Sequence, residues 1–353
     1  MPNLTSHDAT THATPAIAVV IPFYNGSPFI ERALRSIYAQ SLPAAEVVVV
    51  NDGSEPQERE FLHALQPRYG FTLIDQENGG QGAARNAGTA AASAPYICFL
   101  DQDDFYLEHH NRTLAKAIPQ DDPRWGYVYG NLWDADIKGR IVTHAMIKNF
   151  GQHPKRDLVD MIRNDMWVLP SASLIRREAF EAVGGFDTQF TGYEDDDMFL
   201  RIFRAGYTSH FVDQAVTVWC THTSSTSYSM RMARSRLKYF KKLVAEFPDE
   251  PRRKYYFLRD CLVPRFGPGF MGQAIQTAYS GSENRAETCA ILEEYATIVR
   301  GNPFVGSRDK LKLRIVLALL HYCPRWLCST IIGTLIRLPK MAWLRHLLTI
   351  VVV

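Results

Sequence analysis

Phe99-Leu100-Asp101-Gln102-Asp103-Asp104 is the stretch whose reading decides the fold. It closes an apolar run from Pro95 to Leu100 that reads as a short buried strand, so three carboxylates leave a sheet together at a strand exit. Open α/β sheets hold their ligands at that edge. Carboxylates one residue apart on extended chain can share a hard divalent cation, which takes few protein oxygens and completes its shell from substrate phosphates. The stretch therefore predicts a metal-bound, phosphorylated ligand. The competing reading is a turn that caps the following helix.

Upstream, Ile17 to Ile21, closed by Pro22, and Glu46 to Val50, running into Asn51-Asp52-Gly53-Ser54, read as fully buried parallel strands. Between them Ile30, Ala33, Leu34, Ile37 and Tyr38 share one face of a helix over Phe29–Gln40, completing a right-handed βαβ unit. A helix at Arg59–Leu65 and a third strand at Phe71–Ile74 follow. Asn78-Gly79-Gly80-Gln81-Gly82 then opens a small-residue helix with Arg85 one turn in. Glycines there free backbone N–H groups for an anion, and an arginine pairs with phosphate or carboxylate through two bonds. Close helix–sheet packing explains the same small residues.

Downstream, a helix is expected over Leu107–Ile118 and a strand over Trp125–Gly130, whereas Asn131 to Asp165 has no readable pattern. A helix at Arg177–Val183 precedes Gly184-Gly185-Phe186-Asp187. Glu194-Asp195-Asp196-Asp197 then leads into Met198, Phe199 and Ile202 at helical spacing, which places the acidic run at a helix N-terminus. Acidic residues there complement the helix dipole in any protein. A last strand, Val216 to His222, ends in a histidine that is either a ligand or a plain strand end. Trp133 and Trp167 are candidates for stacking on a ligand, or for the core.

With 353 residues, 46% hydrophobic, the chain is long enough for one large α/β domain with a helical appendage. Charge is unevenly divided: residues 231–353 hold 21 Lys and Arg against 9 Asp and Glu, while the rest holds 18 against 28. An acidic catalytic part and a basic surface-binding part are expected, and no nucleic-acid partner. The six cysteines show no paired spacing, which argues against a zinc site or disulfide framework and for a reducing cytoplasm. Residues 1–15 lack the pattern of a signal peptide and read as a disordered lead. Residues 228–260 read as a basic helix pair. The apolar stretch from Leu311 is interrupted by cations, so no spanning helix is expected. Ile331–Leu338 and Ala342–Val353 suit either a membrane interface or packing on the domain.

In order along the chain, Val20-Ile21-Pro22-Phe23-Tyr24-Asn25, Asn51-Asp52-Gly53-Ser54, Asn78 to Gly88, Phe99 to Asp104, Val183 to Asp187 and Glu194 to Asp197 resemble the family-two glycosyltransferases. That is a large inverting family with the GT-A nucleotide-binding fold. The resemblance implies a Rossmann-like, mostly parallel α/β sheet flanked by helices over residues 16–228, with a basic helical region at 229–353. It implies that Pro22, Tyr24, Asp52, Arg85, Asp101 and Gln102 bind a nucleotide-sugar, that Asp103 and His222 hold Mn²⁺ or Mg²⁺, and that Asp195 is the general base with Glu194 in support. Asn51 stands where the family commonly has a second Asp. The implied activity is hexosyl transfer from a nucleotide-sugar, a UDP-sugar in first preference, to a glycan or lipid-linked acceptor in cell-surface polysaccharide synthesis. The expected place is the cytoplasm, or the inner face of the cell membrane as a peripheral protein. The alternative is an inactive nucleotide-binding or membrane-docking scaffold. A nucleotidyltransferase is disfavoured, because no Gly-rich, Lys-containing loop follows the first strand.

Overall fold

The computed structural model describes residues 15–221, 229–251, 254–280, 282–322 and 330. Its strands are β1 (Ile17–Phe23), β2 (Glu46–Asp52), β3 (Thr72–Gln76), β4 (Tyr96–Phe99), β5 (Phe105–Tyr106), β6 (Trp125–Asp136), β7 (Ile141–Thr143), β8 (Ser173–Arg176) and β9 (Thr208–Thr221). Its α-helices are α1 (Ser27–Tyr38), α2 (Pro56–Tyr69), α3 (Gln81–Ala91), α4 (His110–Lys116), α5 (Met146–Asn149), α6 (Leu158–Arg163), α7 (Arg177–Ala182), α8 (Glu194–Arg204), α9 (Met230–Glu246), α10 (Val263–Ser280), α11 (Arg285–Gly301) and α12 (Ser307–Tyr322). A 3-10 turn, Pro170–Ala172, precedes β8, and a π-helical turn, Leu258–Leu262, runs into α10.

The strands join in the order β3-β2-β1-β4-β8-β6-β9-β5, with β7 paired to β6. β3, β2, β1 and β4 are parallel, β8 runs antiparallel to both β4 and β6, and β9 is parallel to β6. This is the expected GT-A-type arrangement, a Rossmann-like parallel half continued by a mixed half. All seven residues of β1 are buried, which requires cover on both faces of the sheet. Helix α1 buries Ile30, Ala33, Leu34 and Ile37. Helix α3 packs on β1 and β2 through its small residues, and a Cβ added at Gly88 would lie 2.3 Å from Val20 Cγ1. Because the strands of this half are parallel, their C-terminal ends open on one edge.

Several boundaries differ from the sequence-based expectation. Helix α2 is longer than Arg59–Leu65: Pro56 starts it, and Gly70, at φ +76°, ends it in a left-handed cap. Phe105-Tyr106 pairs with Val218 and Thr217, so the helix expected from Leu107 begins only at His110. The unreadable stretch from Asn131 contains the second half of β6, then β7, α5 and α6. The last strand starts at Thr208 rather than Val216, and His222 lies outside the described residues. Among the described residues of 228–260, α9 is the long helix, Pro248 and Pro251 follow its end, and the second helical segment begins only with the π-helical turn at Leu258.

The described C-terminal helices share one hydrophobic core with the sheet domain. Phe240 lies 5.7 Å from Phe266 and 5.0 Å from Tyr295 between ring centroids, joining α9, α10 and α11. Tyr239 stacks on Tyr193 at 5.4 Å, which carries this aromatic cluster to the residue before α8. No described helix is long and apolar enough to cross a membrane. Ile331–Leu338 and Ala342–Val353 lie outside the described residues.

Candidate functional site

Three loops at the open edge are tied together through backbone. The Gln102 amide accepts from Tyr24 N at 2.9 Å and donates to Tyr24 O at 3.0 Å, so it pairs with that residue as another strand would. Asn25, in a left-handed conformation at φ +46°, receives a bond from Glu55 N on its side chain at 2.9 Å and donates its own N–H to Ser54 at 3.1 Å. Pro22 is buried opposite Val50, while the Tyr24 ring is 43% exposed. Asp52 is buried and accepts from Gln76 Nε2 at 2.7 Å and from the N–H groups of Gly79 and Gly80, both at 2.8 Å. The anion those glycines face is therefore Asp52 itself. Beside it, the Asn51 amide donates to Asp75 at 2.7 Å, so a carboxylate from β3 stands next to the position where the family commonly has a second Asp.

Arg85 lies in the interior, 3% exposed, instead of facing the open edge. Its guanidinium reaches Asp101 Oδ1 at 2.6 Å and Glu194 Oε1 at 3.3 Å and thereby bridges the two acidic runs. Burial acts against its charge, but the Asp101 and Glu194 carboxylates outweigh that and hold it above the usual arginine range. Gln81 also donates to Asp101, at 2.7 Å. In the same loop, Arg32 donates to the backbone oxygen of Asp103. Asp104 is buried, accepts from Cys220 N at 2.9 Å through one oxygen, and has no partner at the other.

At α8 the expected helix N-terminus is present, entered through Tyr193 at φ +66°. Cations meet three of the four carboxylates. Glu194 has Arg85, Asp196 pairs with Arg265 of α10, and Asp197 has Arg201 at 2.8 Å and Lys242 of α9 at 2.6 Å. Asp195, partly exposed, accepts from Asp196 N at 2.9 Å. Burial, then the neighbouring Glu194 charge, pushes its carboxyl up to about 7. Burial also raises Glu194, against the pull of Arg85. Arg236 donates to the Tyr193 hydroxyl at 3.2 Å, and Ser235 donates to Gly192 O, so α9 fixes the turn ahead of the helix. Arg201 further binds Gly185 O at 2.7 Å, tying the Gly184-Gly185-Phe186-Asp187 segment to α8.

No group of three or more His, Cys, Asp and Glu side chains among the described residues encloses a metal position. Mg²⁺-type sites use one or two carboxylates and take remaining ligands from phosphate and water, and the acidic loop suits that mode. Burial, joined by the charges of Asp103 and Asp101, pushes the Asp104 carboxyl well above its usual value. The unpartnered Asp104 oxygen and the crowding of three carboxylates mark a place where a hard cation would relieve repulsion.

The structure thus gathers Asp101, Arg85, Glu194 and Asp195 around one bridge and groups Tyr24, Gln102 and Asp52 at the neighbouring loops, with His222 outside the described residues. Arg265, Lys242, Arg32 and Gln81 are additional participants. Gln81 was accessible to sequence reasoning from its place at the helix start; the other three come from distant elements and carry no local signal.

Residues 18–184 match the model of Glycosyl transferase family 2, and residues 170–224 match one described as the N-terminal domain of galactosyltransferase. Among curated relatives, the uncharacterized glycosyltransferase EpsJ of Bacillus subtilis is 38% identical over 218 residues, covering 60% of this chain and 62% of that protein. YwdF of the same organism, also an uncharacterized glycosyltransferase, is 29% identical over 228 residues, covering 64% and 82%. A Nostoc glycosyltransferase, 33% identical over 178 residues, shows that the chain spans about half of some relatives, 54% in that case. S. aureus TarS 1-349 in complex with UDP-GlcNAc superposes with a TM-score of 0.60 at 16% identity, covering 90% of this chain and 92% of that one. Mannosyltransferase PcManGT from Pyrobaculum calidifontis, in complex with GDP-Man and Mn²⁺, gives 0.50 at 22% identity, covering 96% and 88%. Motif order, sheet topology and matched residues agree, and residues 18–184 carry the match to glycosyltransferase family 2.

Proposed function

We propose that this protein transfers a hexosyl group from a UDP-sugar to a hydroxyl of a glycan or lipid-linked acceptor, with inversion and with a divalent cation, in cell-surface polysaccharide synthesis. One observation carries the reading: Arg85 joins the acidic loop to the start of α8, so the residues read as the cation-binding loop and the carboxylate read as the base are held side by side. Two proteins of the same fold, TarS and PcManGT, bind UDP-GlcNAc and GDP-Man respectively, the second with Mn²⁺.

On the donor side, the exposed Tyr24 ring offers its face to a base, and Pro22, Gln102, Asp52 and Asp101 fix the loops around it. Arg85 acts from below, by holding Asp101, rather than by reaching the nucleotide. Asp103, with His222, would hold Mn²⁺ or Mg²⁺. Bound there, the cation supplies positive charge to the departing diphosphate. Asp195, supported by Glu194, accepts the acceptor hydroxyl proton. The oxygen's electron pair forms the new bond at the anomeric carbon while the bond to the diphosphate oxygen breaks, its pair leaving with the diphosphate. A carboxyl near 7 suits that base at neutral pH. A single displacement inverts the anomeric centre. Residues 16–228 are the transferase domain in this reading. The basic region from 229 braces it and gives it a surface for the inner face of the membrane.

The test is turnover of UDP-glucose, UDP-galactose and UDP-GlcNAc with Mn²⁺ by the wild type, Asp103→Asn and Asp195→Asn. Transfer or hydrolysis by the wild type that is lost in both variants is expected; equal turnover in all three overturns the reading. UDP binding without turnover of any donor favours the scaffold instead.

A further inference from the structure

The segment between the acidic loop and the α8 carboxylates has a feature the donor chemistry leaves unused. Trp167 and Phe150 stack with ring centroids 4.1 Å apart and an interplanar angle of 12°. Trp167 packs on the core, whereas Phe150 is 46% exposed, so the indole backs a phenyl ring that keeps its other face toward solvent. Trp167 has φ +52°, a left-handed conformation that a bulky side chain rarely adopts. Such backbone persists where the surroundings over-determine it, often at ligand clamps.

Its location is fixed from both sides. The β4–β8 register pairs Cys98 with Leu174, and the 3-10 turn just ahead of β8 packs on β4, so Pro170–Ala172 lies beside the start of the acidic loop. Two residues before Trp167, Asp165 binds Arg265 at 3.1 Å, and Arg265 also pairs with Asp196, next to Asp195. Residues 165–172 therefore run from the base helix to the acidic loop, and Trp167, with Phe150 stacked on it, stands on that span. A pyranose offers an apolar face of C–H groups between equatorial hydroxyls, and a flat, backed aromatic ring is the surface that covers it.

We infer that the Phe150–Trp167 stack is the platform on which a sugar ring of the acceptor lies. The inference rests on the transferase reading for its word acceptor, but not for its geometry. Phe150→Ala alters an exposed ring, and Trp167→Gly places at φ +52° the residue that tolerates it best. The full chain is titrated with cellotriose, chitotriose and laminaritriose, with saturation transferred from protein to sugar ring protons by NMR as the readout. Unfolding midpoints with UDP and Mn²⁺ are measured in parallel. Expected is binding of at least one trisaccharide by the wild type, weakened about tenfold or more in each variant, with the UDP-dependent midpoint rise retained. No signal from any trisaccharide, or equal signals in wild type and variants, overturns the platform. A wild type without any UDP-dependent rise counts against the transferase reading alone, so the two failures are distinguishable.

Discussion

Two acidic runs, Asp101-Gln102-Asp103-Asp104 and Glu194-Asp195-Asp196-Asp197, lie at opposite ends of Arg85, and the protein handles their charge in different ways. At the helix, Arg85, Arg265, Arg201 and Lys242 meet three carboxylates, and Asp195 stands among them with its carboxyl pushed up to about 7. At the loop, Arg85 meets Asp101, a backbone N–H meets Asp104, and Arg32 approaches Asp103 through its main-chain oxygen. One run is neutralised by side chains built into the fold. The other keeps three carboxylates close together, and burial, then the charges of Asp103 and Asp101, raise the Asp104 carboxyl. Similar acidity in sequence thus corresponds to a scaffold in one place and, in the proposed mechanism, to a receptor for a cation in the other.

The comparison is broken most severely at Asp195. Asp195→Asn should lower kcat by about 10²- to 10⁴-fold while UDP still raises the unfolding midpoint, because only the proton acceptor is lost. Kinetics near wild type would remove Asp195 from its role. Next comes the built-in cation: Arg265→Met leaves Asp196 buried without its partner and should destabilise folding by about 3–5 kcal/mol in urea denaturation. Asp103→Asn, at a partly exposed loop position, should change stability by no more than about 0.5 kcal/mol. If both variants unfold alike, the two runs do not differ as described.

A pH profile sharpens the contrast. Asp195 must be ionised to accept a proton, so kcat/KM should fall as pH drops through about 7. Glu194→Gln removes the charge that adds to burial and should move that limb to lower pH. A limb unmoved by the substitution would show that the Glu194 charge does not set it. The smallest effect belongs to Gln102→Ala, which deletes two bonds worth about 1 kcal/mol each; donor KM should rise several-fold with kcat nearly unchanged.

The parallel half was legible because its signals are local. Ile17–Ile21 and Val47–Val50 are uninterrupted apolar runs that match strands set in the interior of the sheet, and acidic residues ahead of Met198 mark a helix start. The mixed half was less so. Whether Phe105-Tyr106 is strand or helix is decided by Val218 and Thr217, more than a hundred residues away, which no periodicity encodes. At the site, residue types pointed to the right loops but not to their partners. Arg85 reads as an anion-binding arginine, yet its anions are Asp101 and Glu194, and Asp52 faces the glycines that resemble a phosphate cradle. Arg265 offers no motif at all, since its meaning comes only from contact with Asp196.

The cations on α9 and α10 also bear on modular engineering. The family matches end at residue 224, but Arg236, Lys242 and Arg265 lie beyond it and hold the turn and helix that carry Asp195. A chimera joined at that boundary would inherit Asp196 and Asp197 without these counterions. Swapping acceptor preference between relatives therefore calls for a seam drawn after α10, so that the helix and the residues that neutralise it travel as one cassette.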